Sequence, residues 1–327
     1  MKKYRQGIPA VILLLAWGSY SAGSKMALKE LDVFQLNQFV FLSALLVYFG
    51  ICLGKKARAR KGIRRRKETG GMSGQMPAEI GAELSKKALW RRERGNLLLC
   101  GCLAWGYFFL YNLALYRLPA MEASIINYCF PVLILVFDAC LKRTGLRGRI
   151  LLSSLTALAG VIVLLTGGNP GSIRLSDITG DVLAFAAACC WALFSVLSAK
   201  SRLPIAESNL CYMTIGTLLS ALAVLRFSSF GFLTACMTDG TVAWALVLAI
   251  WLGGVSFALS NYLWLYLLGH CSLETAAAVS FLTPFVTVVM IAVLLGEHMK
   301  AGQFAGLFLI MLGLWIQQAR LPSKRVS

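Results

Sequence analysis

Five residues of one apolar stretch carry the densest polar chemistry of the chain. Ser124, Asn127, Tyr128, Pro131 and Asp138 fall at i, i+3, i+4, i+7 and i+14, so a helix of 3.6 residues per turn lays them along one stripe. A later apolar stretch repeats the device with Ser280, Thr283, Pro284 and Thr287. Each proline lacks an N–H, which frees the carbonyl one turn earlier: that of Asn127 in the first stripe and of Ser280 in the second. An amide, a phenol, hydroxyls and freed carbonyls can hold the ammonium or hydroxyl of a small amphiphile. Hydroxyls in apolar helices also bind helix to helix, and for Ser124 and Thr287 that reading takes precedence, whereas for Asn127 and Tyr128 the site reading does.

Two further sets accompany the stripes. Trp17, Ser21 and Ser24 are spaced i, i+4, i+7, and Trp191, Ser195 and Ser198 repeat that spacing. The two tryptophans could wall a flat, apolar site. Tyr111 with Asn112, and Asn261 with Tyr262, form a pair in which amide and phenol change order. An asparagine facing lipid is costly, so an inward position is expected. The carboxylates are ambiguous. Glu122 and Glu274 open their helices, where the helix dipole favours negative charge. Asp138 stands four residues before Lys142, the spacing of a surface ion pair. All three are also candidates for coupling to protons, Asp138 foremost because it shares the stripe with Asn127.

The elements that must position these residues are membrane helices. Of 327 residues, 58% are hydrophobic and 14% charged, well below the quarter of charged residues usual in soluble domains. About ten stretches approach the roughly 20 apolar residues that a bilayer core requires: 7–24, 33–54, 96–116, 121–141, 149–168, 180–199, 209–226, 241–268, 272–296 and 303–319. The first lacks a clean small-residue cleavage site and does not read as a signal peptide. Threading ten spans from an inside N-terminus puts 26 of the 32 basic residues inside. The positive-inside rule then places both termini in the cytoplasm. Fourteen of those basic residues lie between Lys55 and Arg94. This 55–95 segment is expected to be a mobile basic loop that acts as an orientation signal or meets anionic lipid, rather than nucleic acid. Within it, Met76, Ile80, Leu84 and Ala88 have the spacing of a helix lying on the membrane surface.

The stretches fall into two sets of five. The Trp-Ser-Ser pattern opens each set, and the fourth member of each carries the mid-segment proline. Asn112-Leu-Ala-Leu-Tyr116 and Tyr262-Leu-Trp-Leu-Tyr266 close the third and eighth, and Glu122 and Glu274 open the fourth and ninth. The expected fold is an all-α polytopic membrane protein of ten transmembrane helices in two inverted five-helix repeats, 1–168 and 169–327. An odd number of spans per set inverts the second, and inverted repeats with broken helices mark secondary transporters. Catalysis has no support. The two histidines, His270 and His298, lie near helix ends, and no zinc-protease, nucleophile-elbow or phosphate-loop motif occurs. The ten cysteines form no Cys-x-x-Cys or Cys/His metal set and read as small packing residues. No metal or other cofactor is expected.

At Ala16-Trp17-Gly18-Ser19, and again at Thr283-Pro284-Phe285, Leu294-Leu295-Gly296-Glu297, Gly306 and Gly313, the chain resembles EamA-type transporters of the drug/metabolite transporter superfamily. Glu122-Ala-Ser-Ile-Ile-Asn127-Tyr128-Cys-Phe-Pro131 is similar to the fourth helix of that superfamily's aromatic-amino-acid exporters. The resemblance spans nearly the whole chain except 55–95. In the first half, Leu141-Lys-Arg-Thr stands where the second has Leu-Leu-Gly-Glu. It implies two inverted halves around a central cavity and export of small organic metabolites, often amino acids, by alternating access. It makes Asn127, Tyr128, Pro131, Thr283 and Pro284 cavity residues. The expected partners are a small-molecule substrate and the bilayer of a bacterial inner membrane, with a monomer and a homodimer both open. A nucleotide-sugar or drug carrier is the rival reading, ahead of a membrane enzyme or a receptor.

Overall fold

The computed structural model describes residues 7–68, 76–144, 148–169, 171, 177–229, 231, 234, 237–286 and 301–318. Thr287, Leu294–Glu297 and His298 fall outside them. Among the described residues the regular structure is helical throughout: α1 Gly7–Ala27, α2 Val33–Glu68, α3 Met76–Arg117, α4 Ala120–Asn127, α5 Phe130–Lys142, α6 Gly148–Leu165, α7 Ile178–Ser198, α8 Ile205–Phe227, α9 Gly240–Trp251, a π-helical stretch Leu252–Leu259, α10 Ser260–His270, α11 Leu273–Ser280 and α12 Ala301–Gln318. Six helical runs are long and apolar enough to cross a membrane, and three shorter apolar helices accompany them. Large apolar side chains face outward, among them Ile8, Leu46, Ile178, Leu222 and Phe308, while Asn37, Asn112, Asn209 and Asn261 are buried. That inside-out distribution of polarity suits a chain whose solvent is lipid.

Local chemistry fixes the helix ends. At the start of α2, the Gln35 N–H donates to Asp32 Oδ1 at 2.8 Å and the Asp32 N–H donates to Gln35 Oε1 at 3.1 Å, a reciprocal capping box. Asp177, Asp239 and Ser272 cap α7, α9 and α11 by accepting backbone N–H groups. Arg143 ends α5 with φ 53°, and Thr144 N–H returns to Ala139 O at 3.0 Å. The two prolines break their helices alike. The first break lies at Tyr128–Cys129, three and two residues before Pro131. The second lies at Phe281–Leu282, three and two residues before Pro284.

The 55–95 segment is largely helical. α2 continues through its basic residues to Glu68, and α3 is one helix from Met76. At 1.5 Å per residue, its 42 residues extend about 63 Å, twice a bilayer core of roughly 30 Å. The segment around Met76–Ala88 is therefore the start of α3, where a separate helix lying on the membrane surface was expected. Lys and Arg are good helix formers, so the helices outlast their apolar windows.

Packing exchanges the two halves. α1 lies against α9, the π-helical stretch and α10, whereas α7 lies against α3, α4 and α5. α2 meets the π-helical stretch as α8 meets α3. Two contacts join equivalents: α2 with α8, and α6 with α12. The last is a backbone-to-backbone contact. A Cβ on Gly306 would stand 2.4 Å from Leu164 N, and one on Gly160 would stand 2.6 Å from Ile310 N. Small residues allow such approach where burial of apolar surface gives no drive.

Two bonded amide pairs recur, one within each half. Asn112 donates to Asn37 at 3.3 Å between α3 and α2, and Asn261 donates to Asn209 at 2.6 Å between α10 and α8. The inward position expected of Asn112 and Asn261 holds for both.

Candidate functional site

The break at Tyr128–Cys129 opens onto a pocket in the middle of the bundle. Asn127, Tyr128 and Phe130 line it from α4, the break and α5. Trp17, Tyr20 and Ser21 come from α1, Tyr107, Phe108 and Tyr111 from α3, and Trp191 from α7. Ser256 of the π-helical stretch and Thr283, just beyond the second break, complete it.

Its walls are aromatic and in mutual contact. Trp17 and Trp191 meet edge to face at 5.8 Å, and Trp17 lies 6.2 Å from Phe130 in the same manner. Tyr107 stacks on Tyr111 at 5.8 Å and lies 4.8 Å from Trp191. Edge-to-face and offset contacts suit the ring quadrupoles, so the rings hold one another in place.

Polar groups punctuate this wall. Tyr111 Oη is within hydrogen-bond distance of Ser21 Oγ (3.0 Å) and Ser124 Oγ (3.1 Å). Asn127 donates from Nδ2 to Tyr107 Oη at 3.3 Å. Its Oδ1 is buried and has no hydrogen-bond partner among the described residues. A buried carbonyl oxygen without a donor costs about 1–3 kcal/mol, so this atom is poised for an incoming N–H or O–H. The pocket holds only about 40 Å³, room for a few waters at most. The rings fill the space that a larger molecule would need.

Seven of the sequence-predicted site residues gather here: Trp17, Ser21, Tyr111, Asn127, Tyr128, Trp191 and Thr283. Pro131 and Pro284 are buried beside the two breaks. The others serve elsewhere. Asn112 and Asn261 form the amide pairs, Asn112 also donating to Tyr20 Oη at 3.1 Å. Ser195 accepts from Trp264 Nε1 at 3.0 Å, Ser280 donates to Ala277 O, and Tyr262 is half-buried outside the pocket lining.

The carboxylates stand away from the rings. Glu122 is buried in the first turn of α4. Asp138 pairs with Lys142 at 2.7 Å, the i, i+4 bond foreseen from its spacing. It lines a second cleft together with Glu274. Among nine described cysteines, only Cys100 is fully buried, so packing residues describes the others loosely. The described residues hold no cluster of metal-binding side chains.

Tyr20, Tyr107, Phe108, Phe130 and Ser256 line the pocket without having been singled out. The run Trp105-Gly-Tyr-Phe-Phe-Leu-Tyr111 is apolar all round and does not reveal which face turns inward.

Beyond the pocket, one end of the bundle is tied across its halves. Arg117 Nε donates to Asp177 Oδ2 at 2.6 Å, holding the Asp177 carboxyl below the usual carboxylate range. Within the first half, Lys25 Nζ donates to Leu115 O near the end of α3 and to Leu118 O just past it. Gln35 donates to Ser229 O at 3.0 Å, and Ser228 donates to Asp32.

Known proteins resemble the chain in the same way throughout. The model of the EamA-like transporter family matches twice, at residues 7–166 and 178–317. The aromatic amino acid exporter YddG of Ancylobacter novellus is 29% identical over 58% of this chain and 63% of its own length, so the match spans less than two thirds of that relative. A probable amino-acid metabolite efflux pump of Salmonella typhimurium is 28% identical over 65% of this chain and 73% of its own. A solved crystal structure, 20% identical, superposes over 96% of both chains with a TM-score of 0.70, which establishes the shared fold. The chain, with several helices able to cross a membrane, belongs to the EamA-like transporter family.

Proposed function

We propose that the protein exports small organic metabolites of the amino-acid class across a bacterial inner membrane by alternating access. One observation carries this reading: two proline-broken helices reach the same aromatic pocket, and the unsatisfied Asn127 Oδ1 points to a missing donor. The pocket is too small for an amino acid as it stands, so transport requires the rings to part. Rocking of one half against the other about the α6–α12 contact would part them. Ten spans in two inverted repeats, 1–168 and 169–327, underlie this motion. The exchanged packing, the twofold family match and the paired breaks support that arrangement. Glu122 and Glu274 open their helices at opposite ends of the bundle, as inversion requires. The end that carries Lys55, Lys142 and Lys200 would face the cytoplasm together with both termini. The names of the two relatives support export of amino-acid compounds.

The test is flux of radiolabelled tryptophan, phenylalanine and methionine in proteoliposomes, with and without a pH gradient. Concentrative or exchange flux that falls at least tenfold in Asn127→Ala, with normal membrane insertion, is the expected result. Equal flux in wild type and empty vesicles for all three compounds sinks the proposal. A response to the gradient that is lost in Asp138→Asn, Glu122→Gln or Glu274→Gln identifies the coupling carboxylate.

A further inference from the structure

Where α2 passes from its apolar to its basic residues, a groove of about 520 Å³ opens between α2, α3 and α8. It shares no described residue with the lining of the aromatic pocket. Phe49, Leu53 and Lys56 fall at i, i+4 and i+7, so a single face of α2 forms its long wall. Nearby, Cys52 Sγ donates to Ala206 O at 3.7 Å and joins that wall to α8. α2 and α3 belong to the first of the two family matches and α8 to the second, so an occupant of the groove touches both halves.

The groove changes character along its length. One end is apolar: Phe49 and Leu53 are 52% and 50% exposed, and Leu210 of α8 lines the groove with them. The other end is cationic, with Lys55 and Lys56 both exposed. Seven residues of helix separate Phe49 from Lys56, a rise of about 10 Å. That is enough to cross the headgroup layer, roughly 5–8 Å on each side of a bilayer core. Trp90 of α3 also lines the groove, half-buried against the core, and tryptophan is enriched at headgroup depth. Glu207 enters from the first turn of α8, where the helix dipole favours a carboxylate. With Glu207 counted as an anion, the two lysines still leave the lining positive, and Arg58, Arg91 and Arg92 are exposed on the same two helices.

We propose that this groove seats one anionic phospholipid, with an acyl chain along Phe49, Leu53 and Leu210 and the phosphate held by Lys55 and Lys56. A groove that was greasy to its end would take any acyl chain. One that ends on cations selects by headgroup, each lysine contributing about a fivefold preference for anionic over neutral lipid. The general attraction of a basic segment for anionic membranes is thereby narrowed to a single seat of defined shape. The seat stands independently of the transport reading.

The test is thermal unfolding of the full chain in detergent micelles doped with dioleoylphosphatidylglycerol or with dioleoylphosphatidylcholine. The anionic lipid should raise the melting temperature by about 4 °C more than the neutral one. Lys55→Gln/Lys56→Gln should need about tenfold more of the anionic lipid for half the shift and should melt like wild type in the neutral one. Lys200→Gln/Arg202→Gln removes as much charge outside the groove and should respond like wild type. If the Lys55/Lys56 variant does not fold, native mass spectrometry of Lys56→Gln gives the same reading, as a loss of the single retained phosphatidylglycerol. Equal shifts from the two lipids, or equal losses in the two double variants, would overturn the proposal. So would a shift of the same size from glycerol phosphate, which lacks the acyl chains.

Discussion

Where α3 ends, the halves are stitched to one another: Arg117 to Asp177, Gln35 to the Ser229 carbonyl, and Ser228 to Asp32. At the basic end, the ion pair Asp138–Lys142 closes within a single helix, and beside it a cleft stands between α5, α7, α10 and α11. Both ends carry bonds across the twofold, since at the basic end Asn96 donates to Leu197 O at 3.4 Å and Arg149 donates to Ile316 O at 2.8 Å. They differ in that a cleft of about 330 Å³ remains beside those bonds at the basic end. In the transport reading proposed above, that is the end from which a substrate would reach the rings.

Four experiments would break or sharpen this contrast. The largest effect is expected between the two ends, at the rings. Trp191→Ala removes an indole that is 3% exposed; it should cost about 3–5 kcal/mol of stability and abolish flux, whereas Lys200→Gln should unfold like wild type. A thermal melt in detergent checks both. Next, a short bifunctional cross-link between R117C and D177C should stop transport and leave tryptophan binding from the basic end intact. Turnover that survives the cross-link would mean the stitched end never opens.

Third, Gly306→Ala should drive α6 and α12 apart, since the added carbon would stand 2.4 Å from Leu164 N. Overpacking of this kind costs about 1–3 kcal/mol, so a lowered melting temperature is expected, with KM for tryptophan unchanged. The smallest effect is electrostatic. The Asp177 carboxyl is held low by Arg117, so its contribution is complete above the unfolded carboxylate range and is lost as pH falls through the lower folded value. Both groups are exposed, so Asp177→Asn should change the melting temperature at pH 7 by no more than about 1 °C. That small difference should shrink as pH falls below the ordinary carboxylate range.

Much of this architecture was legible in the residues. Pro131 and Pro284 announce the breaks because a missing N–H has the same consequence in any helix, and the Trp-Ser-Ser echo exposes the duplication. Asn127 was found because an amide has no other reason to stand in lipid. Two things were hidden, each for a physical cause. Apolarity marks where a helix enters a bilayer but not where it stops, so the basic ends of α2 and α3 read as a loop. A helix hydrophobic on every side has no visible inner face, so Tyr107 and Phe108 gave no signal, and Ser21 could not be told from Ser195. Those two hydroxyls occupy equivalent places, yet one lines the pocket while the other holds Trp264.

The π-helical stretch has an effect beyond its own eight residues. Each wider turn takes in one residue more than an α-turn, so α10 emerges rotated relative to α3, its counterpart. The π-helical stretch thus departs from a strict twofold relation of the duplicated halves around the rings. The first half offers four phenols, from Tyr20, Tyr107, Tyr111 and Tyr128; the second offers the hydroxyls of Ser256 and Thr283. The two flanks of that chamber are therefore unequally hydrophilic, which would favour one orientation of an asymmetric guest over the other.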